Sequence, residues 1–117
     1  MPLGIDLEGR GEVTVLRLAG DLDVYTVRDL RAKAEEIDPG GRQVVLDMTG
    51  IRFLDSAGVT AIVSLLNQAR AGGRSLGMVC PADHEVTRIL AVAGLQAELV
   101  IQGDLAGCCA ALGVGAD

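Results

Sequence analysis

The hydrophobic period of this 117-residue chain switches several times between that of a strand and that of a helix, and this alternation limits the folds open to it. Leu3, Ile5 and Leu7 alternate with Gly4, Asp6 and Glu8, the pattern of a strand covered on one face. Glu8-Gly9-Arg10-Gly11 reads as a tight turn, and residues 12–18, rich in Val, Leu and Thr, as a second strand. A turn this short joins antiparallel neighbours, so the chain is expected to open with a hairpin. Ala19-Gly20-Asp21-Leu22-Asp23 is expected to leave the strand. Val24, Val27, Leu30, Ala34 and Ile37 then recur at helical spacing with charges between them, and Asp23 or Thr26 is available as a cap. Asp38-Pro39-Gly40-Gly41 ends that helix.

Residues 43–48 carry Val44-Val45-Leu46 without alternation, which predicts a strand buried on both faces, as in a parallel sheet. Residues 49–54 are expected to form a loop that carries Phe53 and Leu54 into the core. A helix follows over 56–71, burying Val59, Ile62, Val63 and Leu66, with Gly72-Gly73 after it. Residues 75–80 form a strand stopped by Pro81. Asp83 is positioned to cap a third helix that buries Val86, Ile89, Leu90 and Ala93. Residues 98–101 form a last strand. Asp104 caps a final helix presenting Leu105, Cys108, Cys109 and Leu112, and 113–117 are expected to fray. The expectation is an α/β fold. It is a single domain over 2–115 with a mainly parallel β-sheet, an N-terminal antiparallel hairpin and four helices packed on the sheet.

Composition narrows the function. Tyr25 and Phe53 are the two aromatic residues, so the core must be aliphatic and no platform exists for stacking bases. The net charge of -6 disfavours nucleic acid and other polyanions and favours a basic protein partner. Cys80, Cys108 and Cys109 make a poor disulfide framework and are read as buried thiols of an intracellular protein; their spacing does not suit zinc. The N-terminus lacks the basic and apolar runs of a signal peptide, and the apolar stretch 57–66 falls short of the ~20 residues that span a membrane. A soluble, cytoplasmic protein without a membrane association is expected.

No phosphate loop, dinucleotide fingerprint, nucleophile elbow or zinc-protease motif is present, and no cofactor or metal is expected. His84, the one histidine, is flanked by Asp83 and Glu85 and reads as an exposed first-turn residue. Glu35 and Glu36 lie on a solvated helix face, whereas Asp21 and Asp23 share a loop. Asp55-Ser56-Ala57-Gly58 opens the second helix and has two readings. Asp55 or Ser56 caps the helix, with small residues behind for close packing; the cap is worth about 0.5–2 kcal/mol. Alternatively Ser56 accepts a phosphoryl group, which brings a charge of about -1.5 to -2 to a helix start whose dipole tolerates it. A hydrolase built on Ser56 has no supporting motif.

The segments Gly20-Asp21-Leu22-Asp23-Val24-Tyr25, Leu46-Asp47 and Phe53-Leu54-Asp55-Ser56-Ala57-Gly58-Val59 resemble the anti-sigma factor antagonists, which are single STAS domains. The resemblance covers nearly the whole chain. It implies a non-enzyme that binds an anti-sigma factor acting as a GHKL-type serine kinase, and so releases a sigma factor. It implies phosphorylation of Ser56 by that kinase, dissociation of the modified protein, and restoration by a PP2C-type phosphatase. Carried onto this chain, the contact residues are Asp21, Asp23, Tyr25, Thr49, Asp55, Ala57, Gly58 and Thr60, and a monomer is favoured. The family more often has Ser or Thr where this chain has Ala57, and Gly where it has Thr60. A STAS scaffold in a larger signalling assembly, never phosphorylated, is the alternative.

Overall fold

In a computed structural model describing residues 2–37 and 41–115, the elements run β1 (Gly4–Arg10), β2 (Val13–Leu22), α1 (Val27–Ala34), β3 (Gln43–Leu54) and α2 (Ser56–Ala71). They continue as β4 (Leu76–Val79), α3 (Glu85–Val92), β5 (Val100–Gln102) and α4 (Leu105–Leu112). The order along the chain is also the order across the sheet, β1-β2-β3-β4-β5. β1 lies antiparallel to β2, and every later pairing is parallel. The expected α/β architecture, with its N-terminal hairpin and four helices, is the one observed.

Two layers of aliphatic side chains flank the sheet. On one face Leu16, Leu18, Leu46, Met48, Leu76 and Met78 pack with Val27 and Leu30 of α1, Ile62 and Leu66 of α2, and Val86 and Leu90 of α3. On the other, Val13, Val15, Val45 and Val79 meet Cys108 and Cys109 of α4. Val44 and Leu46 thus face the first layer and Val45 the second, which is why that run shows no alternation. α4 covers only part of its face. On the uncovered part Arg17 lies 3.4 Å from Glu8, 3.8 Å from Asp6 and 4.0 Å from Asp47, so this part of the sheet is polar rather than apolar. Among the described residues no helix is long and apolar enough to cross a membrane.

Several boundaries differ from expectation, each for a local reason. β1 runs on to Arg10, and the turn falls at Gly11-Glu12, where Gly11 has φ 56°. β2 and β3 do not stop at residues 18 and 48. They stay paired to Leu22 and Leu54 through two irregularities in register, so residues 49–54 are strand and not loop. α1 begins at Val27, leaving Val24 outside the helix. His84, not Asp83, caps α3: its Nδ1 accepts from the Val86 amide at 3.1 Å. Its Nε2 then carries the proton and donates to the Thr49 carbonyl at 3.2 Å, tying α3 to β3. Ala93 is exposed past the end of α3. Asp104 caps α4 as expected, accepting from the Gly107 amide at 2.7 Å. The tail as far as Gly115 is not frayed: Gly115 donates to the Glu12 carboxylate at 2.7 Å and accepts from the Glu12 amide at 2.8 Å. The expected helix stop at Asp38, Pro39 and Gly40 lies outside the described residues.

The three cysteines are free and buried. Loss of hydration raises all three thiols, Cys108 to about 11. Two units less acidic means ~100-fold less thiolate below that range. At pH 8 a thiol reagent is therefore expected to label Cys108 in the native protein at least ~100-fold more slowly than in the denatured chain, with Cys80 and Cys109 also slowed; rapid labelling of native Cys108 would contradict this burial.

Candidate functional site

β2 and β3 run parallel and finish side by side, so both chains leave the sheet at one rim. Leu22 pairs with Leu54, and the Asp55 amide donates to the Leu22 carbonyl at 3.3 Å. Brought to that rim are the β2–α1 loop and the N-terminus of α2. The carboxyl ends of parallel strands are where open α/β sheets present their binding residues.

Gly20 allows β2 to reach the rim. It has φ +108°, and a Cβ there would stand 2.3 Å from the Pro2 carbonyl oxygen. Beyond it, one carboxylate shapes the loop. Asp23 Oδ1 accepts from the amides of Tyr25 at 2.9 Å and Thr26 at 3.1 Å. Thr26 Oγ1 accepts from the Asp23 amide at 3.0 Å and donates to the Asp21 carbonyl at 2.8 Å. This is an Asx turn closed by a threonine, and it stands in for a side-chain cap on α1. Of the two candidate caps, Asp23 therefore holds the turn, and Thr26 occupies the N-cap position without capping.

Asp55 links the two segments. Its Oδ1 accepts from the Gly58 amide at 3.0 Å, capping α2, and its Oδ2 accepts from the Val24 amide at 3.2 Å. Ser56 is thus the first helical residue rather than the cap, and it is exposed. The cap and the exposed hydroxyl are separate side chains on consecutive residues. One turn on, Thr60 Oγ1 donates to the Ser56 carbonyl at 2.9 Å and is also exposed. Gly58 is buried where α2 meets the strand ends. A Cβ at that position would lie 2.5 Å from Leu54 Cδ1 and 2.6 Å from the Leu22 carbonyl oxygen. Ala57 is half-buried beside it.

The structure brings Asp21, Asp23, Tyr25, Asp55, Ser56, Ala57, Gly58 and Thr60 to this rim. Thr49 stands apart, about 13 Å back along β3 from Phe53 at the usual rise of a strand; its backbone bonds run to Asp47 and His84. Two further residues stand at this rim against expectation. Phe53, expected in the core, is 53% exposed, and Val24, expected on the buried face of α1, is 60% exposed. A strand sends successive side chains to opposite faces, so Phe53 and Leu54 could not both enter one layer; Leu54 takes that place. A loop over 49–54 would carry no such alternation; the strand does.

Asp55→Ala removes the α2 cap and the acceptor for Val24 together. A loss of about 1–2 kcal/mol is expected by chemical denaturation, with faster hydrogen exchange at the Val24 and Gly58 amides than elsewhere in the chain. Exchange unchanged at Val24 would remove the proposed tie between loop and helix. Gly58→Ala should cost about 1–3 kcal/mol through overpacking against a backbone oxygen that cannot turn aside, and a wild-type melting temperature would contradict it.

Comparison with known proteins adds to this geometry. The family model described as Mlab, STAS domain matches residues 5–102. The chain is 32% identical over 100 residues to an anti-sigma F factor antagonist of Paenibacillus polymyxa, across 81% of this chain and 82% of the relative. A candidate anti-sigma factor antagonist from Thermotoga maritima superposes with a TM-score of 0.82 at 15% identity, covering 92% of this chain and 93% of that one. The antagonist SpoIIAA in its unphosphorylated form gives a TM-score of 0.68 at 23% identity, covering 88% and 91%. SpoIIAA of Bacillus has also been solved in a phosphorylated form. The solved structures share the fold, and the family match spans all five strands: the chain belongs to the STAS domain family.

Proposed function

We propose that this protein is an anti-sigma factor antagonist, regulatory rather than catalytic, whose binding is switched off by phosphorylation of Ser56. Its partner in this reading is an anti-sigma factor that is also a GHKL-type serine kinase, and a PP2C-type phosphatase reverses the modification. The relative from Paenibacillus polymyxa, alike over most of both chains, supports the antagonist role. The observation that carries the switch is the separation of Asp55 from Ser56. Because Asp55 supplies the cap, the Ser56 hydroxyl can be esterified without removing a bond that holds α2 in place.

The electrostatics follow from position. A phosphoryl group on Ser56 would lie at the positive end of a 16-residue helix, which offsets part of its repulsion with Asp55. The fold is kept while the rim gains about two negative charges beside Asp21, Asp23 and Asp55. A partner surface fitted to a neutral hydroxyl would have to strip water from a dianion. A penalty of ~4 kcal/mol weakens binding about a thousandfold.

The test incubates the protein with its cognate anti-sigma kinase and ATP and maps the modified residue. Incorporation at Ser56, abolished in Ser56→Ala, is expected; label that survives Ser56→Ala rejects the site. Ser56→Glu should weaken binding to the same anti-sigma factor at least ~10-fold, less than the phosphoryl group because it carries less charge. A stable complex with no phosphorylated species would favour the scaffold reading instead.

A further inference from the structure

We infer that Phe53, with Tyr25 and Val24, is an apolar anchor that enters a hydrophobic pocket bordered by basic side chains on the anti-sigma factor, with Ser56 at the margin of the contact. This deepens the functional reading above and rests on it.

The chain's two aromatic side chains are both at the surface, Tyr25 at 76% and Phe53 at 53% exposure. Among the described residues four large hydrophobics are exposed: Val24, Tyr25, Phe53 and Val92. Three of them belong to the one rim, while Val92 is alone at the end of α3. Isolated exposed apolar residues are ordinary, whereas several of them gathered at one rim, aromatics included, have the composition of a contact surface. The core does not need Phe53, since the adjacent Leu54 fills the helix-side layer.

The backbone beneath the three side chains is already fixed. The Val24 amide is held by Asp55, the Tyr25 amide by Asp23, and Phe53 by its place in the ladder opposite Asp21. Docking therefore orders side chains only, which favours anchor behaviour. Asp23 and Asp55 hold amides of the group and Asp21 pairs with Phe53 across the strands, so carboxylates adjoin it and the complementary surface is an apolar pocket with basic groups at its edge. A second copy of this chain fits poorly, because two such rims would set carboxylate against carboxylate in a protein of net charge -6.

The test titrates the unphosphorylated full chain with its cognate anti-sigma factor by calorimetry. Phe53→Ser should weaken binding at least ~30-fold and Tyr25→Ser about 10-fold. Phe53→Tyr should stay within about threefold and Val92→Ser within about twofold, with melting temperatures close to wild type throughout. Wild-type binding matched by Phe53→Ser overturns this inference and leaves the functional reading standing. A wild-type chain that does not bind defeats both. Concentration-dependent dimers in sedimentation that Phe53→Ser abolishes would assign the patch to self-association and overturn the inference as well.

Discussion

The rim of this protein depends on how the Asp55 carboxylate divides its two oxygens. One oxygen accepts from the Gly58 amide in the first turn of α2, and the other reaches across to Val24 in the loop that follows β2. The two segments are 31 residues apart in sequence, and the parallel strands beneath them end at the same level. An aspartate is one of few side chains that can do both. A serine in its place has a single oxygen on a shorter side chain, which cannot occupy both positions that the two carboxylate oxygens fill.

That division of labour makes the next residue free to vary chemically. Had Ser56 been the cap, esterifying its hydroxyl would alter the bond that starts the helix. With Asp55 as the cap, Ser56 is attached to a rigid base yet holds nothing in place through its side chain. The steric requirement falls on Gly58 instead, whose missing side chain lets α2 sit against Leu22 and Leu54. Rigidity and reactivity are thus assigned to different residues within one turn.

Much of this was legible in the residues. Period marks the order of strands and helices and the extent of α2, because burial on one face leaves a repeating mark; the short glycine turn marks the opening hairpin, and the lack of alternation marks the doubly buried Val44-Val45-Leu46 run. What periodicity missed were places where tertiary pairing overrode local cues. Gly20 and Gly50 look like strand breakers, yet they sit inside strands that stay paired through register irregularities. The expectation of a loop there sends Phe53 to the core, whereas the strand turns it outward at the rim. Asp83 is the better cap by residue type, yet His84 takes the role, and its second bond, to Thr49, joins residues far apart in sequence. At the site, the sequence places Asp23, Asp55 and Ser56 at one rim, but which of Asp55 and Ser56 caps α2 is decided only by the three-dimensional arrangement.

The two ends of the described chain lie at opposite poles. Pro2 runs beside Gly20, close to the end of β2 that carries the rim. Gly115, by contrast, is clasped by Glu12 at the start of β2, at the far end of the sheet. The longest dimension of the molecule is 32 Å. A label carried at Gly115 would therefore stand far from the Asp55 rim, whereas one carried at Pro2 would crowd it. For any surface-based measurement, the geometry favours tethering by the C-terminal side.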